Sequence, residues 1–132
     1  MDSSVDPGED PRMERVIDLD QAAAEIAERR LGWERICLVI ESVTWRDAAA
    51  PWPQALETDR GCVTAPDSMG LVLSGREEAA LGVVLFCGGW ADVDALTLAG
   101  DLVTEAPAVE SPRAFGVLLD SCVTRVFGVS ER

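Results

Sequence analysis

A chain of 132 residues, 48% hydrophobic and 27% charged, is long enough to bury one core and too short for two ordinary domains. It has no His, Lys, Tyr or Asn; all 11 basic residues are Arg, and against 24 acids they leave a net charge of −13. These absences exclude Ser-His-Asp and Cys-His catalysis, His-containing zinc sites, Schiff-base lysines and a P-loop lysine, and the charge repels nucleic-acid backbones.

The acidic balance has two readings, solubility and steering of a cationic partner. The Arg-only usage suggests a GC-rich genome. Cys37, Cys62, Cys87 and Cys122 are widely spaced with no C-x-x-C pair, so buried, reduced thiols and a cytoplasmic location are expected. No run is long and apolar enough to cross a bilayer.

Residues 1–16 are acidic and rich in Ser, Pro and Gly, the composition of a disordered tail, and residues 17–129 form the expected single α+β domain. From Asp18 or Asp20 as cap, the run LDQAAAEIAERRL predicts a helix with Leu19, Ala23, Ile26 and Ala27 inward, Glu25, Glu28, Arg29 and Arg30 outward, and Gly32 as its end. Ile36–Trp45 predicts a first strand. A long loop follows, in which Pro51 and Pro53 bracket Trp52; Trp45 and Trp52 are read there either as partner-binding aromatics or as a lid over the sheet edge.

Cys62–Ala65 predicts a short strand and Met69–Ser74 another. Ala79–Cys87 is apolar at nearly every position, as expected of a strand covered on both faces or lying mid-sheet. Gly88-Gly89 and Ala99-Gly100, read as two-residue turns, make residues 79–109 a β-meander. Counting across those turns sets Val83 opposite Asp94, Leu85 opposite Asp92 and Glu105 opposite Asp94, gathering three carboxylates on one face. A one-residue bulge would break that cluster. Ser111 as cap, Pro112 in the first turn and Gly128 as stop define a terminal helix with Phe115, Leu118, Leu119, Cys122, Val123 and Val126 on one face. The expected fold is therefore an N-terminal helix, a mostly antiparallel sheet of five or six strands, and a C-terminal helix packed on it.

No residue pattern here requires a cofactor or a metal. Asp92 and Asp94 with Glu105 have the chemistry of a weak divalent-cation site, and Cys62 beside Arg60 is the one reactive-thiol candidate. The surface is better suited to recognition. Asp92, Asp94 and Glu105 serve as electrostatic contacts, and Trp45, Trp52 and Trp90 as aromatic anchors, for a basic protein, with Trp90 equally readable as a core residue at a strand start.

Residues 81–126 resemble the C-terminal part of actinobacterial polymorphic-toxin immunity proteins of the TriTu type. The likeness is carried by Ala91, Asp92 and Asp94 in an A-D-x-D-like segment, by Gly100, Val103 and Glu105 in a G-x-x-V-x-E hairpin end, and by the terminal helix. The resemblance implies an α+β fold and a non-enzymatic protein that neutralises a toxin domain, with monomer or homodimer both open. The alternatives are an acidic secretion chaperone or adaptor, which would be a homodimer, and a small carboxylate-metal enzyme.

Overall fold

The computed structural model of the chain describes residues 15–50 and 56–128. In chain order the elements are α1 (Leu19–Arg35), β1 (Val39–Ile40), β2 (Thr44–Asp47), β3 (Pro66–Ser74), β4 (Ala80–Phe86), β5 (Trp90–Leu96), β6 (Leu102–Glu105) and α2 (Pro112–Phe127). The fold is α+β. All strand pairings are antiparallel, in the order β1-β3-β4-β5-β6, with β2 also on β3. The tail expected over residues 1–16 lies outside the described residues except for Arg15 and Val16, and the Val16 amide donates to the Cys87 carbonyl at 2.8 Å.

Both helices pack on one face of the sheet. Leu81, Val83 and Leu85 of β4 point into that side, where Ile26 and Trp33 of α1 and Phe115, Leu119 and Val126 of α2 complete the core. β4 takes the mid-sheet alternative, because strands flank it on both sides while helices cover one face only.

Asp18 caps α1, its Oδ1 accepting from the Asp20 and Gln21 amides at 2.9 and 3.2 Å. Gly32 does not end the helix. Trp33 can bury its indole only if another turn forms, and the left-handed position after the helix falls to Cys37 at φ 67°. The buried stripe of α1 is also rotated from the expected one. Ala22 is inside and Ala27 outside, while Glu25 and Arg29 are half-buried toward α2. α2 matches its expected bounds, with Ser111 Oγ accepting from the Ala114 amide at 3.0 Å and Gly128 left-handed at φ 70°.

The expected first strand, Ile36–Trp45, is interrupted. Val39 and Ile40 pair with Ser74 and Leu73, but Thr44 and Trp45 pair with Gly70 and Met69, a register one residue later. That extra residue is a bulge, and a one-residue shift turns the following side chains to the other face. Trp45 is consequently inside. Cys62–Ala65 is not a strand: Arg60–Cys62 is a 3-10 turn and Val63 plugs the core after it. The Asp47 carboxylate anchors this region, accepting from the Thr64 amide at 2.8 Å and from the Ala65 and Ala49 amides at 2.9 Å.

Both meander turns are longer than two residues. Phe86 pairs with Trp90 across Cys87-Gly88-Gly89, and Leu96 pairs with Leu102 across Thr97–Asp101, so Gly89 and Gly100 hold the left-handed positions at φ 102° and 96°. The register therefore shifts by one: Gly82 faces Asp94, Val84 faces Asp92, and Glu105 faces the core residue Val93.

Candidate functional site: the open sheet face

The sheet face away from the helices has no second layer among the described residues. Alternation along each strand places its side chains there, and the pairing registers arrange them in cross-strand rows. One end row is Val39, Ser74, Ala80, Leu96 and Leu102, followed by Val72, Gly82, Asp94 and Thr104. Next come Thr44, Gly70, Val84 and Asp92, and at the other end Arg46, Ser68, Phe86 and Trp90.

The centre of this face is apolar and open to solvent. Val72 and Val84 are 39% and 37% exposed on neighbouring strands, and Leu102 and Val39 reach 84% and 63% at the two edges. Trp90 and Phe86 close one end as a stacked pair, with ring centroids 4.8 Å apart and planes 16° from parallel. Gly70 and Gly82 lower the floor between them. Two hollows result, one of about 370 Å³ beside Thr44, Arg46, Gly70, Val84 and Phe86, the other of about 330 Å³ beside Val72, Gly82, Asp94, Leu96 and Leu102.

Asp92 and Asp94 form the acidic wall of this surface. Both are exposed, and Asp94 Oδ1 accepts a bond from Thr104 Oγ1 at 3.3 Å. Their spacing on one strand face is as expected, but Glu105 is not with them. The longer turn puts it on the helix side, where it pairs with Arg125 at 2.8 Å. The Arg125 guanidinium holds the Glu105 carboxyl below its ordinary range. The three carboxylates therefore cannot share a cation, and no group of three or more His, Cys, Asp or Glu side chains among the described residues is placed to hold one.

Trp45 is also withdrawn from the surface. It is 5% exposed, lies on the core side of β2, and carries the Arg60 guanidinium 5.3 Å from its ring centroid. Neither reading of Trp45 stands, because it is a core strand residue rather than an anchor or a loop lid; Trp52 lies outside the described residues. Trp90 is half-buried at the end of the open face, combining a packed ring with an accessible edge.

None of the four cysteines forms a disulfide. Cys87 and Cys122 are buried as expected, but Cys37 and Cys62 are exposed. Cys62 is not the electropositive thiol that the neighbouring Arg60 suggested. Arg60 turns away to Asp20 at 2.8 Å, and Cys62 Sγ lies 3.5 Å from Asp59 Oδ2, which raises the thiol's pKa.

Sequence reasoning missed the apolar members of this face: Val72, Val84, Phe86 and Leu102. One signal was available, the clustering of Ser68, Gly70 and Ser74 in β3 with Ala80 and Gly82 in β4 on alternate positions, since glycines and other small residues inside strands offer little side chain to pack and leave room for a ligand or another backbone to approach. No protein-family model, no curated protein and no solved structure matches the chain.

Proposed function

We propose that this chain is a non-enzymatic protein-binding module, an immunity protein that occludes a basic toxin domain, and that it does so through the open sheet face. The observation that carries this reading is the coincidence, on one face that no other described element covers, of exposed apolar side chains, the Phe86–Trp90 stack and the Asp92–Asp94 pair, on a chain of net charge −13. An apolar centre with an acidic rim suits a partner of opposite charge. The rim accelerates encounter and the centre supplies most of the affinity. Asp92, Asp94 and Trp90 keep the roles expected from the sequence, Val72, Val84 and Phe86 join them, and Glu105 and Trp45 serve the fold instead.

Co-purification of the tagged chain from its native host, with mass spectrometry of what is bound, tests the reading. A stoichiometric basic protein released by high salt is expected. Changing Asp92→Asn and Asp94→Asn together should slow association several-fold at low ionic strength, with the difference closing as salt shortens the Debye length below about 10 Å. Unchanged association rates at low salt would remove the acidic rim from the interface. A homodimer carrying an extended, non-toxic client would replace the immunity reading with that of a secretion chaperone.

A further inference from the structure

We infer that the element of the partner lying on the open face is a single amphipathic α-helix, aligned with β3 and β4, with its apolar stripe over Val72 and Val84 and its basic side chains toward Asp92 and Asp94. This rests on the open face being the docking surface and adds the shape of what docks there.

The walls of the face set the width. β2 and β5 are separated by β3 and β4, so their axes lie about 14 Å apart at the usual strand spacing, close to the roughly 10–12 Å diameter of a helix with its side chains. The length agrees as well. β4 spans seven residues, about 23 Å of extended chain, which a helix of about 15 residues matches. Backbone hydrogen bonding chooses between secondary structures. A lone extended segment over the middle of a sheet has no edge to pair with and would bury its own amides and carbonyls without partners, whereas a helix satisfies them internally. Charge then sets the orientation about the helix axis. The β5 wall carries Asp92 and Asp94 two residues apart on the open face, while the opposite wall mixes Thr44 and Arg46 with the nearby Asp67, so the paired carboxylates make the flank over β5 the one that best suits a row of Arg or Lys.

Gly82 provides the test, because it lies in the floor, has extended rather than left-handed backbone, and a Cβ there meets only the Asp94 carbonyl oxygen at 3.8 Å. Gly82→Val should therefore fold normally and fill the groove. The probe is a fluorescently labelled peptide of about 15 residues with a leucine stripe at helical spacing and Arg on one flank. Its controls are a peptide of the same composition in strict alternation and a peptide with Glu replacing Arg. Anisotropy titrations against the full chain should show the helical Arg peptide binding at least about tenfold more tightly than either control. Gly82→Val should weaken it about tenfold or more with an unchanged melting curve, and Asp92→Asn with Asp94→Asn should narrow the preference for Arg over Glu severalfold, the remaining net charge of −11 (−13 + 2) keeping part of it.

Equal binding of the alternating peptide, no binding of the helical one, or indifference to Gly82→Val overturns the inference. So does sedimentation showing that the face is closed by a second copy in a dimer that Gly82→Val dissociates. If the co-purified basic partner is lost on Asp92→Asn and Asp94→Asn while the peptides fail these tests, the helix is wrong and the binding function stands. If the peptides pass and no basic protein co-purifies, the immunity reading is the one that fails.

Discussion

Gly116 in α2 offers a sharp test of how the two helices are joined. Gly→Ala inside a helix ordinarily stabilises by about 1 kcal/mol. Here a Cβ would fall against Glu25 Oε1 and 2.7 Å from Arg29 Nη2, in the space where Arg29 crosses from α1 to α2. Arg29 bonds Asp120 through Nε at 2.7 Å and Glu25 through Nη1 at 2.9 Å, and Asp120 is the leading cause of its raised pKa. Displacing the guanidinium forfeits at least one charge-assisted bond, about 2 kcal/mol after allowing for the half-exposed Asp120. Gly116→Ala should therefore destabilise by about 1 kcal/mol net, roughly 4 °C in a domain of this size. In an Arg29→Ala background Glu25 loses the guanidinium that holds its carboxylate at 2.9 Å and can turn aside from the new Cβ, so the same change should stabilise by about 1 kcal/mol, a coupling of about 2 kcal/mol. Urea denaturation of the four proteins measures the cycle. If Gly116→Ala stabilises both backgrounds equally, Arg29 does not depend on the missing Cβ and the account of this crossing is wrong.

Further outcomes follow from particular groups. Because the Arg125 pairing lowers its folded-state pKa, Glu105 contributes stability that is complete above the ordinary value of 4.5 and lost as pH falls through the depressed folded value. The stability gap between the wild type and Glu105→Gln, from melts across pH 2–7, should be constant near neutrality and close at the acid end; a gap that widens on acidification contradicts the pairing. Thiol labelling of the native protein should modify Cys37 first and Cys62 slowly, since Asp59 raises its pKa, and reach Cys87 and Cys122 only on unfolding. Cys62 reacting faster than Cys37 would refute the Asp59 contact. Glu77 and Glu78 hold left-handed backbone at φ 54° and 67° in the β3–β4 turn, so Glu77→Asn with Glu78→Gly should stabilise by about 1 kcal/mol or more in chemical denaturation. A neutral or destabilising result would mean that the turn is not strained there.

The terminal helix was legible because its signals are local. Ser111, Pro112 and Gly128 fix its ends through the conformations those residues allow, and apolar side chains at helical spacing from Phe115 to Val126 fix its inward face. The α+β class was legible for the same reason. Asp92 and Asp94 could likewise be assigned to one face, since alternation within a strand needs no knowledge of its neighbours. Relations between elements were not legible. Whether Glu105 joins those two acids depends on turns that take three and five residues instead of two, and a single residue of slip moves a side chain through the sheet. Trp45 was lost to the same cause, a bulge between Ile40 and Thr44 that no local pattern announces. Gly32 failed as a helix stop because burying Trp33 outweighed the local preference to end. The open face is the plainest case of all. The sequence by itself determined that a half-apolar strand surface and two acids exist, but only the tertiary structure decided that both helices cover the other side, because which face a helix covers depends on packing over the whole sheet rather than on any one segment.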